Sequence, residues 1–179
     1  MNLNKYYHKI IPYTIRHFFT SINNLIKWMP IIWKDRDWDD WYIWEILKFK
    51  LTQQANYISK HDRHTTAQID AQKMRLCVRL IEKIQDEYYS GEYMDYFESK
   101  FEFTDCKDKP GYSELNIIDI SNTFEEYVTK YYSTYKKIIK EHDCKNAKDI
   151  AMKMAHYNHN KAKRILFQLL DTHIEKWWD

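Results

Sequence analysis

Glycine and proline are nearly absent, at 2 and 3 residues in a chain of 179. An all-β sandwich or barrel needs many tight turns, so that class is excluded. Gly91 and Gly111 lie far apart in the sequence. No phosphate-cradling loop or dinucleotide fingerprint can be built from them. Cysteine is also scarce. Cys77, Cys106 and Cys144 are odd in number and lack a C-x-x-C spacing. That argues against a secreted disulfide scaffold and for a reducing cytosol. No small-residue cleavage site follows an apolar stretch at the start, so no signal peptide is expected. The most apolar stretch, Ile10 to Trp33, is interrupted by Arg16, His17, Asn23, Asn24 and Lys27. It falls short of the roughly 18 unbroken apolar residues that a membrane span needs.

Apolar and aromatic side chains are plentiful. Hydrophobic residues make up 44% and aromatics 17%, which excludes a disordered chain and supplies a core. The length fits a single helical domain over 1–179. Between Pro12 and Pro30, Ile15, Phe18, Phe19, Ile22, Leu25, Ile26 and Met29 recur at helical steps, so a first core helix is expected to end at Pro30. Asp37 is the expected cap of a second helix reaching about Ser59. Thr65 and Gln68 have capping-box spacing before a third, whose expected core face is Ile69, Lys73, Leu76, Cys77, Leu80, Ile84 and Tyr88, with Lys73 its one polar member. Acids then accumulate and the helical period stops. Phe101 and Phe103 alternate with polar residues, a turn signal occupies Asp105 to Gly111, and Leu115 to Ile120 is β-branched. This reads as a β-hairpin at about 98–120. A fourth helix is expected on Phe124, Val128, Tyr131, Tyr135 and Ile138. A fifth starts at Asn146, with Ile150, Met154, Ile165, Leu169, Ile174 and Trp177 on its face. The predicted fold is therefore mainly α: about five helices in an antiparallel bundle with one small inserted hairpin.

The net charge of +2 is unevenly spread. Residues 1–34 carry five cations and no acid, whereas 91–121 carry eight acids and three lysines. So small an excess gives no strong nucleic-acid signal. The segment Ile31-Ile-Trp33-Lys-Asp35-Arg36-Asp37-Trp38-Asp39, the stretch Lys48-Phe-Lys50-Leu51 and the terminal Trp177-Trp178-Asp179 together resemble a family of small tailed-bacteriophage proteins with no assigned activity. The resemblance implies a viral accessory product made in the cytoplasm of a bacterial host, with countering of host defence as one role. It carries no site residues with it.

The tryptophan- and aspartate-rich segment is the most unusual feature. Trp33, Trp38 and Trp41 could stack a base, Arg36 could clamp a phosphate and an aspartate could take ribose hydroxyls, and the residues singled out are Trp33, Arg36, Trp38, Tyr42, Lys48 and His64. These six are the expected ligand-binding residues of a protein that sequesters a nucleotide-type signal. In the plain structural alternative the acids cap a helix, the tryptophans fill a core, and Arg36 pairs with the C-terminal Asp179. Lys153, Lys161, Lys163 and Arg164, beside His156 and Tyr157, offer a second basic and aromatic group. The acidic hairpin region, with Glu92, Asp95, Glu98, Glu102, Asp105 and Asp108, could instead mimic nucleic acid and occupy a basic cleft on a host protein. His61 and His64, or His156 and His159, have a spacing that can chelate a metal, with Asp62, His142, Asp143 or His173 as a third ligand, and a metal-dependent phosphoesterase would use His61, Asp62 and His64, but no metal or other cofactor is expected. A virion component is a further alternative. The load of 30 aromatic residues also suits a homodimer interface.

Overall fold

The structure is a computed structural model and describes residues 13–178, apart from Arg63 and Lys109. Two compact units meet between Lys50 and Leu51. The first holds α1 (Tyr13–Ile32) and the start of α2 (Trp41–His61). Pro30 does not end α1. The Ile26 carbonyl loses its helical donor there, but Trp33 N still donates to Met29 O at 2.9 Å, so the last turn continues past the proline. Asp39, not Asp37, starts α2: its Oδ1 accepts from Trp41 N at 3.0 Å.

The second unit holds the rest of α2, α3 (Ala67–Gln85), a single helical turn α4 (Tyr88–Gly91), a 3-10 turn (Glu92–Tyr96), the hairpin β1 (Phe97–Asp105) and β2 (Ser113–Asn122), α5 (Phe124–Lys130), α6 (Tyr132–Glu141), α7 (Ala147–His173) and a closing 3-10 turn (Ile174–Trp178). The mainly helical class with one antiparallel hairpin matches the expectation. Seven α-helices replace the expected five among the described residues. The extra ones are α4 and a break in the expected fourth helix at Tyr131, whose φ of −120° and ψ of 40° leave helical geometry.

The expected capping box at Thr65 does not form. Thr66 Oγ1 donates instead to Asp70 Oδ2 at 2.6 Å, and Gln68 Nε2 reaches back to the Ser59 carbonyl of α2 at 3.0 Å. The buried face of α3 is also rotated from the expected one. It carries Ala67, Asp70, Ala71, Met74, Cys77, Ile81 and Ile84, while Ile69 and Leu76 are exposed. Small Ala67 and Ala71 let a neighbouring helix approach closely, and apolar counting alone overlooks that. The same rule operates on α7. Ala151, Met154, Ala155, Asn158, Ala162, Leu166 and Leu170 are buried, while Ile165 and Ile174 are exposed. α7 is the central element and packs against α3, α4 and α6. Its start is as expected: Asn146 Oδ1 accepts from Asp149 N at 2.8 Å, and Asp149 Oδ2 accepts from Lys145 N at 3.1 Å. Tyr127, Ile138, Ala151 and Met154 form one buried cluster, ringed by Tyr93, Tyr96, Phe97 and Phe124.

In the hairpin, Phe101 pairs with Ile117 and Phe103 with Leu115, so all four share one face and all are exposed. Gly111, at φ +86°, takes the left-handed position in the turn. Asp119 fixes the hairpin to α7 by accepting from Lys148 at 2.7 Å and from Ser99 at 2.6 Å. The Lys148 bond, then the Ser99 bond, hold its carboxyl below the usual range.

Candidate functional site

Among the described residues of the first unit, the expected stacking side chains Trp33 and Trp38 lie open to solvent. Trp33 is 78% and Trp38 83% exposed, so neither is core and neither walls an enclosed site. Arg36 is exposed and donates to the neighbouring Asp35 carbonyl at 2.7 Å. Its expected partner Asp179 lies outside the described residues. Tyr42 is half-buried, with its ring edge-on to Trp41 at 5.5 Å. Lys48 pairs with Glu45 and sits 5.8 Å from the Trp41 ring centre. Tyr42 and Lys48 thus share Trp41 as a neighbour. His64 belongs to the second unit, where its Nε2 lies 3.3 Å from Asp70 Oδ2.

The second unit contains a groove lined by polar and aromatic side chains. α6 and α7 leave between them an open groove of about 410 Å³. Buried Ile138 lies at its base, and His142, Met152, Lys153, His156, Tyr157 and Asn160 line it. The spacing explains the grouping. Lys153, His156, Tyr157, Asn160 and Arg164 follow steps of three, four and seven along α7, so they share a side of that helix. Lys137 of α6 donates to Tyr157 Oη at 3.2 Å and lies 4.7 Å from its ring centre. Arg164 approaches the same ring at 5.8 Å. Lys137, then Arg164, hold the Tyr157 hydroxyl below its ordinary value. Lys153 is anchored by Asp149 Oδ2 at 3.0 Å and the Asp143 carbonyl at 2.9 Å. Asp149 raises its affinity for its proton. His156 Nε2 lies 2.9 Å from the Asn160 amide nitrogen. The groove is therefore lined by one aromatic ring, one anchored lysine, two histidines and the apolar Ile138 and Met152, with Lys137 and Arg164 beside it on the Tyr157 ring. Such a site suits an anionic ligand with a flat apolar part.

Sequence reasoning named Lys153, His156, Tyr157 and Arg164 as a basic and aromatic group but missed the α6 contribution, Lys137 and His142. No local pattern marks that partnership, which exists only once α6 packs on α7. Lys161 separates from the group and lines a different cavity of about 260 Å³ beside Lys130, Tyr131 and Asn158.

Next to that second cavity lies a polar network that the sequence did not suggest. Glu92 is buried and accepts from Lys130 Nζ and, at 2.5 Å, from Tyr131 Oη. Burial, then the Glu92 bond, push the Tyr131 hydroxyl well above its ordinary value. Burial and the Glu92 charge do the same to Tyr127. Glu92 was expected on an acidic recognition surface. It is instead an internal acceptor, because the 3-10 turn points it towards α5 and α6. Two other hairpin acids are also partnered: Glu98 accepts from Ser121 at 2.8 Å and Glu102 pairs with Lys100 at 2.8 Å.

His61 stacks on Tyr57 at 4.4 Å, and His159 is half-buried with its basicity lowered by burial. Among the described residues no three His, Cys, Asp or Glu side chains gather to hold a metal ion. No helix described is long and apolar enough to cross a membrane. No known protein family, curated protein or solved structure matches the chain.

Proposed function

We propose that the chain acts by binding a nucleotide-type ligand, and that the groove between α6 and α7 is where it binds. The supporting observation is the Tyr157 ring, which carries Lys137 and Arg164 and lines a groove together with Ile138 and Met152. A base would lie against Met152 and Tyr157, where stacking is worth about 1–3 kcal/mol per base. Phosphate oxygens would accept from Lys137 and Lys153. The volume is that of a small-molecule site. This reading keeps the sequestering role expected from the sequence and moves its site from the Trp33–Lys48 segment to the second unit. In the phage setting that the resemblance implies, such a protein would withdraw a host signal from use.

The test is a thermal-shift panel of mono-, di- and cyclic nucleotides and adenosine-diphosphate-ribose derivatives, with and without divalent metals. A ligand at 100 times its Kd should add about 2.7 kcal/mol of stability and be recovered unchanged after heat release. Tyr157→Leu and Lys137→Ala should remove most of the shift. A ligand returned altered, with metal dependence, would replace the reading with a phosphoesterase. No shift with any ligand would overturn it in favour of a protein partner.

A further inference from the structure

The stripe of α1 was expected to be core, yet it is not covered. Phe18, Phe19, Ile22, Leu25, Ile26 and Met29 are all exposed, Phe18 at 61% and Ile26 at 65%. At 100° per residue they form one continuous face. Trp28 lies off that face, and its ring packs on Phe49 of α2 at 4.7 Å. The helix is therefore held from the side, and its most apolar face is left to solvent. So large a contiguous patch marks an interaction surface.

Charge selects the occupant. Residues 1–34 contain Lys5, Lys9, Arg16, Lys27 and Lys34 and no acidic residue. A second copy would bring two acid-free segments of the same sign together. An anionic surface would be attracted to them, and each cation near a negatively charged leaflet contributes about 1 kcal/mol. Lys27 is exposed and projects from the side of the helix away from the stripe, the arrangement of a helix that lies in the headgroup layer. Trp33, exposed just past the end of α1, adds an aromatic of the type enriched at lipid–water boundaries. The helix is not long and apolar enough to cross.

We infer that α1 is an interfacial helix that lies on an anionic lipid bilayer. It buries Phe18, Ile22, Leu25, Ile26 and Met29 among the acyl chains while its cations meet the headgroups. This surface is independent of the α6–α7 groove and needs no ligand there.

Co-sedimentation of the full chain with vesicles tests it, using phosphatidylcholine alone or with about 30% phosphatidylglycerol. The protein should pellet with the anionic vesicles, remain mostly in solution with neutral ones, and be released by high salt. Lys27→Glu with Lys34→Glu should weaken partitioning at least tenfold. Ile22→Asp with Leu25→Asp should abolish it. Because those side chains are exposed, the variants should keep wild-type helical circular dichroism. Equal binding to neutral and anionic vesicles would overturn the charge argument. Absence from both pellets would overturn the inference. So would a dimer in light scattering that Ile22→Asp dissociates while vesicle binding persists.

Discussion

Tyr131→Phe removes a single hydroxyl from the buried network and leaves the ring, which packs 5.2 Å from that of Tyr127. That hydroxyl donates to the Glu92 carboxylate at 2.5 Å. Hydrogen bonds to charged groups contribute about 1.5–3 kcal/mol. Lys130 stays on the other carboxylate oxygen, so Glu92 keeps one partner and the cost belongs at the lower end, about 1.5–2 kcal/mol. Glu92→Ala strands the Tyr131 hydroxyl and removes packing, while the half-exposed Lys130 returns to water. Its cost should be about 2–3 kcal/mol. The two changes delete one shared interaction, so the double variant should lose about 1–2 kcal/mol less than the sum. Urea unfolding, with equal slopes for all four proteins, measures this. A Tyr131→Phe effect below about 0.5 kcal/mol, or strict additivity, would refute the reasoning.

Further outcomes follow from the same structure. Tyr127, Tyr131 and Lys130 all hold their protons more tightly when folded. Their stabilising effect is complete below pH 10, the ordinary tyrosine value, and is lost as pH rises beyond it. The last tyrosines to ionise, read by tyrosinate absorbance, should do so together with the loss of helical circular dichroism. Burial pulls the Asp70 carboxyl up, but bonds from Thr66 and His64, with Lys73, outweigh it and leave it lowered. Its contribution should fade as pH falls below 3.8, and Asp70→Asn should flatten acid unfolding there. Asn146→Ala should cost about 1 kcal/mol in urea unfolding by uncapping α7. Burial pushes the Cys77 thiol up to about 11, so thiol labelling of the native protein should modify Cys106 and Cys144 and spare Cys77.

Element type was legible where one periodic pattern dominated. The hairpin and the Asn146 cap show in alternation and cap chemistry alone. Buried faces were harder to read, because Ala67, Ala71, Ala151, Ala155 and Ala162 are buried by close helix approach, which apolar counting undervalues. The break at Tyr131 carries no glycine or proline to announce it. The exposed stripe of α1 carries the pattern of a core helix, since amphipathicity specifies an apolar partner without saying which one. The α6–α7 groove was half visible: its α7 residues share a spacing, but Lys137 and His142 join them only through packing. The Trp33–Lys48 segment was conspicuous by composition, but composition does not tell a core tryptophan from an exposed one such as Trp33 or Trp38.

The most direct test of ligand binding in the α6–α7 groove is the nuclear magnetic resonance of the histidine rings during titration with the best stabilising nucleotide. His142 and His156 line the groove, whereas His61 and His64 lie elsewhere in the sequence and outside its lining. The account predicts that the His142 and His156 ring signals move to saturation with one Kd and that Tyr157→Leu abolishes the movement. Saturable movement of the His61 or His64 signals, with His142 and His156 unmoved, would contradict it.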